Sequence, residues 1–338
     1  DDNWGGSGHP NTNNDKATIN VGSASISMNI AGGTGVVGEV YLGSGFTGTV
    51  TQAYNFTIDD AGSENGNLEI NNASATWNSN NSNLTVDAWI SGNGTFAAAA
   101  STVNVNQGIT APTTSSGGSI TTGNDFRPST INITGNTTIA VGDQLGSTLT
   151  VGASNAPTIT CKRLHSSFNC TTGNQGQSTI TINATETNAG PSRALFFYNL
   201  TLGTGDYTTT LAGAATITNN LTITTGTLDT SSSNHALTVN GSTGGAGTLT
   251  LNNSTYTGDA GGSHLSMTGT VTIGTSGVIT NVDQLGETSG GGMTLTCTGS
   301  PTLGCRRWRQ LASKWTPATS TLKVEDGSYS FQDASYGV

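Results

Sequence analysis

Four cysteines are the residues of this chain whose spacing most readily suggests chemistry, and they fall as two local pairs, Cys161 with Cys170 and Cys297 with Cys305. Of the three connectivities open to four cysteines, local pairing is the simplest, because it closes two short loops as disulfides. Two disulfides imply an oxidising compartment. Zinc binding is the competing chemistry, but the spacings are too wide and the histidines too scattered for a ribbon or a finger.

Catalysis requires titratable groups brought together with shifted pKa values. His9, His165, His235 and His264 stand in unrelated Gly-, Ser- or Asn-rich contexts without a second histidine or acid at metal-ligand spacing, and they read as surface residues. Asp143, Asp206, Asp229, Asp259 and Asp283 are dispersed singly. A polysaccharide lyase or hydrolase on a parallel β-helix would need Asp, Lys and Arg clustered along a groove, so an enzyme is the least favoured class. Asp143 and Asp283 recur in equivalent contexts, which predicts a repeated turn-capping role through Asx hydrogen bonds. Calcium fits better than catalysis: Asp59 and Asp60 with Glu64, or Asp1 with Asp2, could supply oxygen ligands. No segment matches an EF-hand loop or a nonapeptide calcium repeat, and solvated loop acids are the plainer reading. No other cofactor is expected.

Charge is unevenly placed. Five of the ten basic residues (Arg306, Arg307, Arg309, Lys314, Lys323) lie within eighteen positions near the C-terminus, whereas the first hundred residues hold nine acids and only Lys16. Such polarity favours head-to-tail contact between copies, with Arg306, Arg307, Trp308, Arg309 and Trp315 at one end and Asp1 and Asp2 at the other as the candidate interface. The plainer reading is a solvated basic cluster that caps the second cysteine loop. Trp4, Trp77, Trp89, Trp308 and Trp315 are too scattered to make a sugar-binding face. Thr-X-Thr triplets such as Thr216–Thr218, Thr222–Thr224 and Thr270–Thr272 raise an ice-binding reading, but they are unevenly spaced, and ordinary β-propensity accounts for them.

The elements that must position these residues are strands. Gly contributes 48 of 338 residues and charged residues only 9%. Strong helix formers are scarce, while β-branched Thr, Val and Ile recur throughout. Asn220–Thr224, Ala236–Val239 and Gly269–Ile273 alternate apolar and small polar residues with period two, and turn residues follow each. That patterning argues against disorder, which the composition alone would allow. A net charge of −10 disfavours nucleic acid as a partner, and no apolar run is long enough for a membrane span. The chain begins at Asp1 without a basic and apolar leader, so a signal segment is expected to have been removed or left out.

The sequence also repeats itself. Residues 67–102 align without a gap to 220–255 at an offset of 153, with thirteen identities that include Leu84-Thr-Val86 against Leu237-Thr-Val239 and Gly94-Thr95 against Gly247-Thr248. Asp143-Gln-Leu-Gly146 returns as Asp283-Gln-Leu-Gly286, and each copy runs on to a cysteine followed by basic residues, Cys161-Lys-Arg and Cys305-Arg-Arg. The change of offset means that about one strand-and-turn unit was gained or lost, which a stacked architecture tolerates. Strand starts every 11 to 16 residues, as from Leu68 to Leu84 to Thr95, are too close for βαβ units. They suit a solenoid or a sandwich. Repeated Gly-Thr-Leu and Gly-Thr-Val strand openings, small stacking residues and few aromatics favour the solenoid.

Stretches such as Asn220–Asp229 followed by Leu237–Gly241, and Leu84–Val86 through Gly92–Phe96 to Ser101–Val105, resemble the repeats of large prokaryotic cell-surface and extracellular β-repeat proteins. The resemblance covers residues 54 to 310, and it implies a secreted or surface location. The expected fold is therefore all-β, a repetitive β-solenoid of the parallel β-helix type with extra terminal strands; tandem β-sandwich domains are the alternative. The expected parts are N-terminal strands over 1–50, repeat units over 51–172 and 173–315, and a C-terminal strand tail over 316–338. The expected role is a structural subunit of an extracellular filament, thread or sheath, homopolymeric through its terminal strands. A monomeric adhesin or stalk that binds glycans or surfaces is the alternative.

Overall fold

A computed structural model describes residues 12, 14–28, 34–59, 65–230, 233–286, 292–309 and 314–324. Among them the regular elements are all strands, and the strands pair in parallel. The chain divides into two compact units, Asp1–Ile159 and Thr160–Val338. Each is a three-faced parallel β-solenoid, so the solenoid expectation holds and the sandwich alternative falls away.

In the first unit, the first face stacks Lys16–Gly22, Glu39–Phe46, Leu68–Ile70, Trp89–Gly92 and Gly108–Ile109. The second face has seven strands, from Ile26–Met28 to Thr148–Val151, and the third runs from Thr34–Val37 through Leu84–Val86 to Thr138–Val141. Pairing is continuous from Lys16 into the repeats, so the N-terminal strands are the first coils of the stack. One coil brings Val40 onto Leu68, Leu68 onto Ile90, and Ile90 onto Ile109.

The second unit repeats the plan. Its first face carries Leu221–Ile223 and Thr243–Gly244, and its seven-stranded second face runs from Asn188–Ala189 to Trp315–Thr316. Its third face carries Leu237–Val239 and Thr255–Thr257. Strand Val278–Leu285 runs on from the third face to the first, turning at a register shift between Ile279 and Val282 with Asn281 left-handed (φ 59°). Asn tolerates that region better than other residues with a Cβ.

Period-two alternation explains both surfaces of each face. Inward positions are aliphatic and fully buried, as in Leu228, Leu249, Val271 and Leu295, which stack coil upon coil. Outward positions are small and polar. Burying each such leucine stabilises by roughly 1.5–3 kcal/mol. The larger rings fill the interior at particular coils: Trp77 packs against Phe56 at 5.9 Å, and Phe168 stacks on Phe197 at 6.2 Å.

The offset of 153 seen in the sequence is a three-dimensional equivalence. Gly92 and Gly245 share a φ of 111°, and a Cβ on either would overlap the carbonyl of Ile70 or Ile223 one coil away. Asn81 (φ 64°) and Asn234 (φ 58°) are both left-handed, and their amide oxygens accept from the N–H of Ala100 (3.0 Å) and Asn253 (3.2 Å). Equivalent residues fall on equivalent faces throughout the aligned stretch.

Candidate functional site

The cysteines come first. All four are buried, and the structure holds them as thiols, with neither Cys161–Cys170 nor Cys297–Cys305 joined. Cys297 lies inward on the second face of its unit, whereas Cys305 lies opposite Val282 on a strand that runs from the third face to the first, so the short loop between them turns a corner. Burial pushes the Cys170 thiol up to about 12. Burial also raises the Cys297 thiol, against the opposing pull of the Ser320 hydroxyl and the Trp315 indole. A buried thiol held in its protonated form is a poor nucleophile at neutral pH.

The basic cluster is in large part paired within the chain while remaining partly exposed. Asp283 lies on the strand that turns the corner; Arg307, from the next coil, pairs with it, His264 approaches to 3.5 Å, and Arg306 stands 3.9 Å away. Arg306 also donates to the Ala260 carbonyl at 2.7 Å, and Lys314 donates to the Gly292 carbonyl at 2.9 Å. Asp283 is therefore an ion-pair partner rather than the turn cap expected of it. The motif Asp-Gln-Leu-Gly could not reveal this, because its partners sit on other coils. Trp308 is buried and meets Trp315 edge-on at 4.9 Å, so this pair packs the last coils.

Other expected sites remain apart. Asp59 is described, whereas Asp60, Glu64, Asp1 and Asp2 lie outside the described residues. Among the described residues, no group of three or more His, Cys, Asp or Glu is placed to hold a metal ion. Asp259 caps its own turn, with its carboxylate accepting from the Gly261 N–H at 2.9 Å. Asp143, Asp206 and Asp229 occupy separate coils.

The arrangement that sequence reasoning missed is on the second face of the second unit. Outward-facing Thr208, Thr227, Thr248, Thr270 and Thr294 are partners in register on successive strands and form one rank. Two residues along each strand, Thr210, Asp229, Thr250, Thr272, Thr296 and Thr316 form a second rank. Thr208, Thr248, Thr270 and Thr294 alternate with buried neighbours while remaining partly exposed themselves. No register shift interrupts these pairings.

Glycines at the preceding corner set the alignment. Gly226, Gly247 and Gly269 each stand immediately before a rank threonine, and a Cβ on Gly269 would overlap the Gly247 carbonyl. The coils therefore approach closely there. The N–H of Thr248 donates to Gly226 (2.8 Å), that of Thr270 to Gly247 (3.0 Å), and that of Thr294 to Gly269 (2.9 Å). The Gly-Thr openings were the available signal. Uneven triplet spacing hid it, because turns of different length absorb the difference between coils.

By fold, then, each unit is a parallel β-solenoid. Comparison with protein families, with curated proteins and with solved structures found no match.

Proposed function

We propose that this chain is an extracellular structural subunit, not an enzyme, and that copies join head to tail through their terminal strands. The observation that carries this reading is that an edge strand in each unit has a single strand partner among the described residues. Among the described residues, Lys16–Gly22 pairs only with Glu39–Phe46, and Thr321–Val324 only with Thr302–Trp308. Unpaired main-chain groups on an edge strand are a template for another strand.

Asp143, Asp206 and Asp229 stand on separate coils, and Asp283 is engaged by Arg307 in an ion pair, which supports the non-enzymatic part of the reading. The extracellular part rests on composition and on the resemblance to surface repeat proteins.

Negative-stain electron microscopy of the native protein tests the assembly, with deletions of residues 1–16 and of 320–338 made separately. Regular filaments that vanish with either deletion are the expected result. Isolated particles indifferent to both deletions would make the chain a monomeric adhesin or stalk instead.

A further inference from the structure

We propose that the two threonine ranks on the second face of the second unit form a binding surface for crystalline water, an ice plane. Parallel strands stand about 4.7–4.9 Å apart, and alternate residues along a strand repeat at roughly 6.6 Å. In-register pairing over the strands from Thr208–Thr210 to Thr294–Cys297 turns those two spacings into a rectangular grid of hydroxyls and methyls. The strand-to-strand spacing of this grid is close to the short oxygen-row repeat of hexagonal ice. Threonine suits it better than serine, since two heavy atoms on Cβ stiffen χ1 and hold hydroxyl and methyl in repeated directions.

Three further observations choose this occupant. The chain carries a net charge of −10, yet within the two ranks Asp229 is the one ionisable residue, and Lys314 follows Thr294 at the edge, so the face carries little charge where a polyelectrolyte would need much. A crystalline sugar surface would be gripped by aromatic platforms. The ranks contain none. The corner glycines and the main-chain bonds that follow them lock neighbouring coils, so the grid exists before any ligand arrives. Water held on a preformed grid has lost its orientational freedom already, which lowers the further cost of joining a lattice.

The test uses the full-length chain and two readouts, thermal hysteresis and partition into a slowly grown ice hemisphere. The wild type is expected to give measurable hysteresis and to enrich in the ice fraction. Thr272→Lys, at the centre of the second rank, is expected to lose both, while Thr238→Lys, on the third face, keeps both. Circular dichroism and melting establish that each variant is folded; should Thr272→Lys not fold, Thr272→Val removes the hydroxyl at almost constant shape and is expected to weaken both signals. Absence of both signals in the wild type would overturn the proposal, as would equal loss in Thr238→Lys. Retention on crystalline cellulose or chitin without ice shaping, or dimerisation through this face in sedimentation, would also overturn it. Deleting residues 320–338 is expected to leave hysteresis intact, so this proposal and filament assembly can fail separately.

Discussion

The second faces of the two units share one backbone plan and differ in what they present. In the second unit the first rank is threonine at five successive coils, and the second, from Thr210 to Thr316, is threonine except at Asp229, with Ala189 preceding it on the first strand of the face. In the first unit, Thr49, Thr76 and Thr95 begin a rank, but the next coil has Pro112 before Thr113. The companion rank reads Thr51, Asn78, Ala97, Thr114, Asn132 and Thr150, with a register shift between Ala97 and Ala99. Inward residues make a coil stack; outward residues are then free to vary. Equivalent architecture therefore does not entail equivalent surface chemistry.

The sharpest way to break this comparison is to attack the shared interior. Leu249→Ala removes a fully buried side chain beneath the threonine ranks, and Phe96→Ala removes its counterpart in the first unit. Losses of about 2–5 kcal/mol for the leucine and about 3–5 kcal/mol for the phenylalanine are expected in denaturant unfolding. A negligible loss at either would show that its coil is not packed as described.

Gly92→Ala and Gly245→Ala come next. Both positions have a φ of 111° and no room for a Cβ, so matched losses of about 1–3 kcal/mol are expected in thermal melts. Strongly unequal losses would contradict the equivalence of the two coils. Removing the turn amides, Asn81→Ala and Asn234→Ala, costs one hydrogen bond each, about 0.5–1.5 kcal/mol, and again by similar amounts.

Outward substitutions separate the surfaces. Asp229→Thr is expected to cost about 0.5–1.5 kcal/mol, because its carboxylate accepts from the Asn252 side-chain amide one coil away, while raising hysteresis by completing the second rank. Asn78→Thr with Ala97→Thr is expected to add only weakly, since Pro112 and the register shift still interrupt the grid of the first unit. An equal gain from both changes would mean that rank continuity is not what matters.

Much of this fold was legible in the residues. Period-two alternation in Asn220–Thr224 and Gly269–Ile273 predicted the strands, and the offset of 153 predicted the coil-for-coil match of Leu68 with Leu221 and Leu84 with Leu237. Little of the site was legible. The basic run Arg306–Arg309 reads as a free patch, yet Arg307 turns back onto Asp283, a residue of the previous coil. Cys297 and Cys305 read as one closed loop, yet they occupy strands on different faces.

Strand content, repeat and stacking were determined by local rules, because alternation, turn residues and small corner residues act within a few positions of one another. Which threonines stand side by side was decided only by tertiary structure. Thr227, Thr248, Thr270 and Thr294 are unevenly separated along the chain, and they align because main-chain pairing fixes each strand against its neighbour whatever the length of the turn between them.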